Sequence, residues 1–219
     1  GLVGILGGFV MSFSFIAFVF AMMNTSVANV VFIISTQTMF LALFGYLYLK
    51  EKVSLIGLLS IILAMTGITV MINDSISGGT LFGNLVALTI PISFSILVMI
   101  VRKNSNLDLV PAIWYASIFS VLYSLIMIDT FSFTNNDILM GFLLGVPQLT
   151  FGFICITIGS RTTKSVTIGL LMLTETIFAP LWVWLFLNEI PPLSVFIGGS
   201  IIIFAIIIKS LDKNKFISA

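Results

Sequence analysis

The stretch VANVVFIISTQTMFLALFGYLYL, residues 27–49, contains no charged residue. A helix of this length, rising roughly 1.5 Å per residue, reaches across the roughly 30 Å of hydrocarbon in a bilayer. The stretch SVTIGLLMLTETIFAPLWVWLFL, residues 165–187, is equally long and carries a single charged residue, Glu175. Apolar side chains surround both stretches on all sides, which is typical of helices that lie in lipid. We therefore predict a membrane-spanning helix at each.

Six further apolar stretches raise the predicted number of spans to eight. The eight predicted spans are residues 1–23, 27–49, 54–72, 80–101, 109–128, 138–159, 165–187 and 192–210. Of the 219 residues, 59% are hydrophobic and 8% are charged, whereas ordinary soluble domains carry about 25% charged residues. The sequence therefore predicts an all-α membrane protein, a multi-helix transmembrane bundle with membrane lipid as its surroundings.

The nine Lys and Arg residues are scattered singly or in pairs, and the net charge is +1. They form no basic stripe that could follow a nucleic-acid backbone, so no nucleic-acid partner is predicted. Threading eight spans through a bilayer places all nine at one end of the bundle, which the positive-inside rule assigns to the cytoplasm. We therefore predict a multi-pass protein of a bacterial-type cell membrane with a cytoplasmic C-terminus.

Histidine is absent from the chain, and Cys155 is its single cysteine. The usual general base, the commonest metal ligand and an internal disulfide are thereby missing. We predict no metal, no cofactor and no catalytic residue, and hence no enzyme. Two alternatives to a transporter stay open: a membrane-embedded enzyme, which would need clustered acid, base or nucleophilic groups near an interface, and a non-transporting structural bundle.

An internal repeat appears when the sequence is slid against itself, with a gapless match at an offset of 138 over residues 1–55. The identical polar pairs are Thr25/Thr163, Thr36/Thr174, Thr38/Thr176 and Glu51/Glu189. The offset matches each of the first three helices to the one five helices later, so the two members of a pair cross the membrane in opposite directions. Inverted repeats of this kind build secondary transporters. Because the fourth and fifth helices have no partner, we predict two further N-terminal helices, with eight spans present of ten in an inverted five-plus-five repeat.

Two short motifs mark the repeated helix. The motif TSVAN at 25–29 precedes an apolar helix that ends YLKEK at 48–52, and the repeat carries LTET at 173–176 and ends LNE at 187–189. This pattern resembles the EamA-type permeases of the drug/metabolite transporter superfamily. The resemblance covers essentially the whole chain, as helices three to ten of ten. It implies five helices in each half, with a Glu at the end of the fourth.

The resemblance also implies a division of the chain. Residues 1–75 would be the C-terminal three helices of the first EamA-like repeat, residues 80–211 the second repeat of five helices, and residues 212–219 a short cytoplasmic tail. It further implies a permease that moves a small metabolite, such as an amino acid or a related compound, and in many members an exporter. Family members carry a Glu followed by Pro in the ninth helix. Glu175 falls at that place, with Thr176 instead of the Pro and Pro180 one turn later.

Glu175 is the sole ionisable residue in the interior of a predicted span, about 15 Å deep at helical rise. Intramembrane carboxyls usually face a cavity, and Gln37 lies at the equivalent position of the repeat. The substrate-cavity residues that we predict are Glu175, Gln37, Thr36, Thr174, Thr176 and Gln148, and the predicted hinges are Pro180, Pro147 and Pro91. The structural alternatives stay open: a neutral Glu bonded to a neighbouring helix, and Thr hydroxyls bonded to their own helix carbonyls.

The predicted mechanism is alternating access around a midplane cavity that binds a small-molecule substrate. A buried carboxyl is compatible with protons as a coupling partner, and a facilitator or exchanger is equally compatible. The number of subunits and the direction of transport are left open by the residues themselves.

Overall fold

The computed structural model describes residues 1–25, 27–72, 80–128, 134–187 and 193–211. Regular secondary structure within these ranges is entirely helical, with eleven α-helices and one π-helical segment, Leu144–Thr150. The α-helices are α1 Leu2–Asn24, α2 Val27–Ser35, α3 Gln37–Leu49, α4 Leu55–Ile72, α5 Leu81–Lys103, α6 Pro111–Met127, α7 Asn135–Leu143, α8 Phe151–Ser160, α9 Ser165–Met172, α10 Thr174–Leu187 and α11 Leu193–Leu211. The predicted all-α class is confirmed for the described residues.

Five helical stretches of the described chain are long and apolar enough to cross a membrane. They are Leu2–Asn24, Asn29–Leu49, Leu81–Lys103, Asn135–Ser160 and Leu193–Leu211. Three shorter apolar helices, Leu55–Val70, Pro111–Met127 and Ser165–Phe178, lie at the other predicted spans. The chain is therefore a helical membrane bundle, and its total of eight spans stays a prediction.

Two predicted spans are each divided once near the middle. The backbone N–H of Thr36, between α2 and α3, donates to the Ile33 carbonyl at 3.1 Å, and the N–H of Leu173, between α9 and α10, donates to the Leu170 carbonyl at 3.2 Å. Each bond reaches three residues back instead of the four of an α-helix, which is the tightening found at helix ends. The sequence alone indicates a single helix at each place, because neither junction carries a proline or a glycine.

Pro147 lies in the π-helical segment between α7 and α8. Proline lacks an N–H and its ring clashes with the carbonyl four residues back, so the helix widens locally to accommodate it. The Thr150 hydroxyl donates to the Gly145 carbonyl at 2.7 Å, five residues back. The structure therefore shows a local distortion at Pro147, and the role of Pro147 as a hinge stays a prediction.

The other two predicted hinges lie inside helices. Pro91 is buried within α5, which continues from Leu81 to Lys103. Pro180 belongs to α10, and its side chain lies outside the described part of the structure. Both hinge roles stay predictions.

The core forms where helices distant in sequence pack together. α1 packs against α5 and α6, α4 packs against α11, and α3 lies between α5 and α9. Glycines permit the closest approaches: a Cβ at Gly8 would come 2.6 Å from the Ala112 carbonyl oxygen, and one at Gly67 would come 2.8 Å from the Gly198 carbonyl oxygen. These small residues bring helix backbones together, as is common where lipid removes the hydrophobic drive for association.

The stretch Asn135–Ser160 lies at the periphery of the described bundle. In its most apolar 18-residue segment no residue is buried, whereas 56% of the corresponding segment of Leu81–Lys103 is buried. Burial begins only near its end, at Thr157 and Ser160. This stretch therefore presents most of its side chains to the surroundings of the described helices.

Candidate functional site

The junction between α2 and α3 holds two of the predicted cavity residues. Gln37, the first residue of α3, is 5% exposed. Thr36 is half-buried, and its hydroxyl donates to the Ile33 carbonyl at 2.5 Å. Its hydroxyl is therefore used within its own helix, while the Gln37 amide lies among packed helices.

Thr38 links the two predicted repeats directly. Its side chain is fully buried, and its hydroxyl donates to the carbonyl of Gly169 in α9 at 3.1 Å. Gly169 lies four residues before Leu173, whose N–H is bonded to the Leu170 carbonyl instead. The break in the second span thus places a backbone carbonyl where a threonine of the other repeat can satisfy it.

The close approach of α3 and α9 requires glycine at position 169. A Cβ built on Gly169 would lie 2.8 Å from the Cα of Thr38 and 3.2 Å from its Cβ. Real Cβ atoms essentially never come so near a backbone atom. The helix pair is therefore held at backbone contact, next to both junctions.

The junction between α9 and α10 holds three more predicted residues. Leu173 at the break is 1% exposed, whereas Glu175 two residues later has an exposed side chain. The Thr174 hydroxyl donates to the Leu171 carbonyl at 2.7 Å, and Thr176 is half-buried. Thr36, at the first junction, and Thr174, directly after the second, thus make the same bond to the carbonyl three residues back.

The structure gives the predicted residues three different environments. Gln37 is buried, Glu175 is exposed on α10, and Gln148 is exposed in the π-helical segment. α10 itself packs against α9 and α11. The two junctions therefore form the compact part of the candidate site, and Gln148 lies on a different, peripheral helix.

A polar cluster was missed by the sequence reasoning at the end of the bundle where Lys52, Lys164 and Lys209 lie, called the lysine-bearing end below. The Glu51 carboxylate forms an ion pair with Arg102 at the end of α5, and the two side chains are each 14% exposed. The second carboxylate oxygen accepts a hydrogen bond from the backbone N–H of Ser165, the first residue of α9, at 3.0 Å. A Cβ at Gly45 would lie 2.9 Å from that oxygen, so the backbone of α3 also lies close to this polar cluster.

The sequence alone describes Glu51 as the polar end of a helix, and that description holds only in part. One carboxylate joins the turn after α3 to the ends of α5 and α9. The sequence does carry a signal for this contact, because Glu51 and Arg102 fall at the same end of the bundle when eight spans are threaded through a bilayer. Its repeat partner Glu189 lies outside the described residues.

A second ion pair lies at the same end of the bundle and is more open to solvent. Arg161, just after α8, donates to Asp108 at 2.7 Å, with side-chain exposures of 27% and 71%. Exposed pairs contribute little to stability, about 1 kcal/mol at most. The buried Glu51–Arg102 pair is therefore the structurally demanding one.

Metal chemistry finds no support in the described ranges. Among those residues, no group of three or more His, Cys, Asp or Glu side chains is placed to hold an ion. The polar groups that are brought together are hydroxyls, amides, backbone carbonyls and one buried ion pair. Such groups bind and orient a polar solute by hydrogen bonds.

Known proteins resemble this chain over nearly its whole length. The sequence pattern described as "EamA-like transporter family" matches residues 1–73 and 81–211. An "Uncharacterized transporter" of Clostridium kluyveri is 26% identical over 230 aligned positions, which cover 98% of this chain and 73% of that protein. A solved structure described only as "Crystal structure of protein" superposes with a TM-score of 0.82 at 15% identity, over 98% of this chain and 78% of the other. The fold is thus shared with a protein of distant sequence, and this chain is a membrane protein that belongs to the EamA-like transporter family.

Proposed function

We propose that this chain is a permease that moves a small metabolite, such as an amino acid or a related compound, by alternating access around the two mid-span junctions. The observation that carries the proposal is the pair of single-residue irregularities, at Thr36 and at Leu173, where the hydrogen bond tightens to three residues while the backbone stays α-helical. Shifted by 138 residues, Thr36 coincides with Thr174, directly after the second break. Helix irregularities at matching positions of two repeats are where we expect the midplane site of a secondary transporter.

The helix ends that meet at the two junctions support a repeat. α2 ends at Ser35, which shifts by 138 residues to 173, and α9 ends at Met172. α3 starts at Gln37, which shifts to 175, and α10 starts at Thr174. Agreement to within one residue at both positions favours duplication over coincidence.

We assign the substrate contact to Glu175 and Gln37, with Thr36, Thr174, Thr176 and Gln148 as further cavity residues. The position of Glu175 in the interior of a predicted span supports this assignment, because a charge at the bilayer centre costs about 2.5 to 3.5 kcal/mol on insertion scales. A carboxyl at such a place is expected to face a polar cavity. It would contact the substrate amine or a coupling proton there.

The Glu51 cluster supports the alternation. Glu51 lies in the first predicted repeat, while Arg102 and Ser165 lie in the second, so their contacts hold the repeats together at the lysine-bearing end. We propose that this end faces the cytoplasm of a bacterial-type cell and that the described conformation is closed there. In an exporter, substrate would enter from this side after the contacts open.

Transport by the protein reconstituted in liposomes tests the proposal. Radiolabelled amino acids are offered one by one, and counterflow is measured for the unaltered protein, for Glu175→Gln and for Asp108→Asn as a carboxyl control outside the span interior. We expect flux of at least one amino acid, lost or made independent of pH in Glu175→Gln and retained in Asp108→Asn. Equal flux through the unaltered protein and both variants across the pH range would remove Glu175 from the mechanism. If none of the amino acids is transported, the result would favour a non-transporting structural bundle.

A further inference from the structure

We propose that the lysine-bearing end of the bundle binds one anionic phospholipid, with its acyl chains in the groove between α3 and α4 and its phosphate beside Lys52, Lys164 and Lys209. The proposal concerns a lipid site on the outside of the bundle and does not depend on the substrate or on the direction of transport. Two adjoining hollows, one apolar and one basic, carry it.

The apolar hollow is a groove of about 710 Å³ between α3 and α4. Met39 and Leu43 of α3 form one wall, and Leu58 and Ile61 of α4 form the other. Leu43 and Leu58 are each 49% exposed, so the groove is open along its length. In a bilayer an open apolar groove is filled by hydrocarbon, which here means the acyl chain of a lipid.

The basic hollow is small and enclosed, with a volume of about 30 Å³. Three lysines line it: Lys52 in the turn after α3, Lys164 directly before α9, and Lys209 in the last turn of α11. Lys209 is only 7% exposed, which is unusual for a lysine. A volume of this size exceeds the 10–15 Å³, roughly, that a single water needs, so it suits the oxygen atoms of a headgroup rather than a whole solute.

The two hollows meet at one turn. Lys52, Val53 and Ser54 line both of them. A molecule with a hydrocarbon tail and an anionic head can therefore occupy the groove and reach the lysines without leaving the surface of the protein. Inorganic phosphate would use the basic hollow alone, so the continuity of the two hollows favours a lipid.

The charge balance favours an anionic headgroup over a zwitterionic one. Glu51 also lines the basic hollow, but its two carboxylate oxygens are engaged by Arg102 and by the Ser165 backbone N–H. Three lysines line this space, and the ammonium group of each carries three N–H donors that a phosphate can share with contacts inside the protein. Basic hollows between membrane helices are typical headgroup sites for anionic lipids, and a choline headgroup would add a like charge.

Native mass spectrometry of the purified protein tests the site directly. The protein is released from micelles that contain equal amounts of phosphatidylglycerol and phosphatidylcholine of the same chain length, and the retained lipid is counted. We expect one phosphatidylglycerol per chain in several-fold excess over phosphatidylcholine. Equal retention of the two lipids would overturn the proposal.

Variants locate the site. Lys209→Gln and Lys52→Gln should each reduce phosphatidylglycerol retention several-fold, and Lys209→Arg should keep it, because the charge remains. Lys52 is exposed, so Lys52→Gln is informative even where a change at buried Lys209 impairs folding. The matched control is Lys103→Gln, an exposed lysine at the end of α5 that lines neither hollow. An equal loss in Lys103→Gln would mean diffuse surface charge and would contradict the site.

The groove is tested separately from the lysines. Leu43→Trp narrows the apolar hollow while leaving the lysines in place, and it should lower retention of phosphatidylglycerol. Glycerol 3-phosphate, which has the phosphate and no acyl chain, should not compete at concentrations similar to that of the lipid. Full competition by glycerol 3-phosphate would show a simple anion site and overturn the lipid assignment. None of these readouts involves transport, so their failure is distinguishable from failure of the proposed function.

Discussion

The Glu51 carboxylate pairs with the Arg102 guanidinium and fastens the turn after α3 to the end of α5. Both side chains are 14% exposed, and two further guanidinium nitrogens of Arg102 are buried without a hydrogen-bond partner among the described residues. A buried ion pair is not necessarily more stable than an apolar pair, but loss of one partner leaves an uncompensated charge. This asymmetry leads to the first prediction.

Glu51→Gln should lower the free energy of unfolding by more than the roughly 1 kcal/mol of an exposed pair and by up to about 3 kcal/mol, because Arg102 would stay half-buried without its counter-charge. The double variant Glu51→Leu with Arg102→Met should lose less stability than Glu51→Leu alone or Arg102→Met alone. The free energies of unfolding of these three variants, measured in detergent with increasing dodecyl sulfate, form a double-mutant cycle. Asp108→Asn is the control, since it breaks the exposed pair with Arg161 and should cost no more than about 1 kcal/mol. Additive losses in the cycle would show that Glu51 and Arg102 do not depend on each other.

Gly169→Ala should destabilise the contact between α3 and α9. The new Cβ would lie 2.8 Å from the Thr38 Cα, and a backbone atom cannot move aside cheaply. We expect a loss of about 1 to 3 kcal/mol, the usual range for overpacking. Gly159→Ala is the matched control, because nothing lies within 4 Å of its Cβ position; alanine there should be neutral or stabilising by up to about 1 kcal/mol. Similar melting temperatures for both variants would contradict the close approach.

Thr38→Val should cost about 1 to 2 kcal/mol, since it keeps the shape of the side chain but removes the hydroxyl that satisfies the Gly169 carbonyl. Thr38→Ser should retain most of the stability. Thr69→Val is the comparison: that hydroxyl donates to the Met65 carbonyl of its own helix at an exposed position, and its loss should stay within about 0.5 kcal/mol. Thermal unfolding in detergent distinguishes these outcomes, and a Thr38→Val protein as stable as Thr69→Val would show that the bond between the helices is unimportant.

Cysteine labelling in membranes should show that position 175 meets water. In a Cys155→Ser background, Glu175→Cys should react with a membrane-impermeant maleimide, because we assign Glu175 to a polar cavity. Ile62→Cys, in the middle of α4 and 53% exposed, should face lipid and stay unlabelled. Gln37→Cys should react slowly, since that side chain is 5% exposed. Labelling at Ile62→Cys as fast as at Glu175→Cys would argue against a cavity at Glu175.

The spans were predictable from sequence where length and apolar character decide them. The run 1–23 became α1, Leu2–Asn24, and the run 80–101 became α5, Leu81–Lys103. Pro147 marked a distortion, because a missing N–H is a local property of the chain. The breaks at Thr36 and Leu173 were not predictable, since nothing in either uninterrupted apolar run opposes a continuous helix.

The sequence by itself determined that this chain lies in lipid, where its apolar runs begin and end, and which end carries the positive charge. These properties sum along the chain, so no knowledge of neighbouring helices is needed. The tertiary structure alone decided that Glu51 meets Arg102 and Ser165, and that the Thr38 hydroxyl meets the Gly169 carbonyl. Such contacts depend on how closely two backbones approach, and that distance is set by side-chain volumes on helices far apart in sequence, 51 positions between Glu51 and Arg102 and 131 between Thr38 and Gly169.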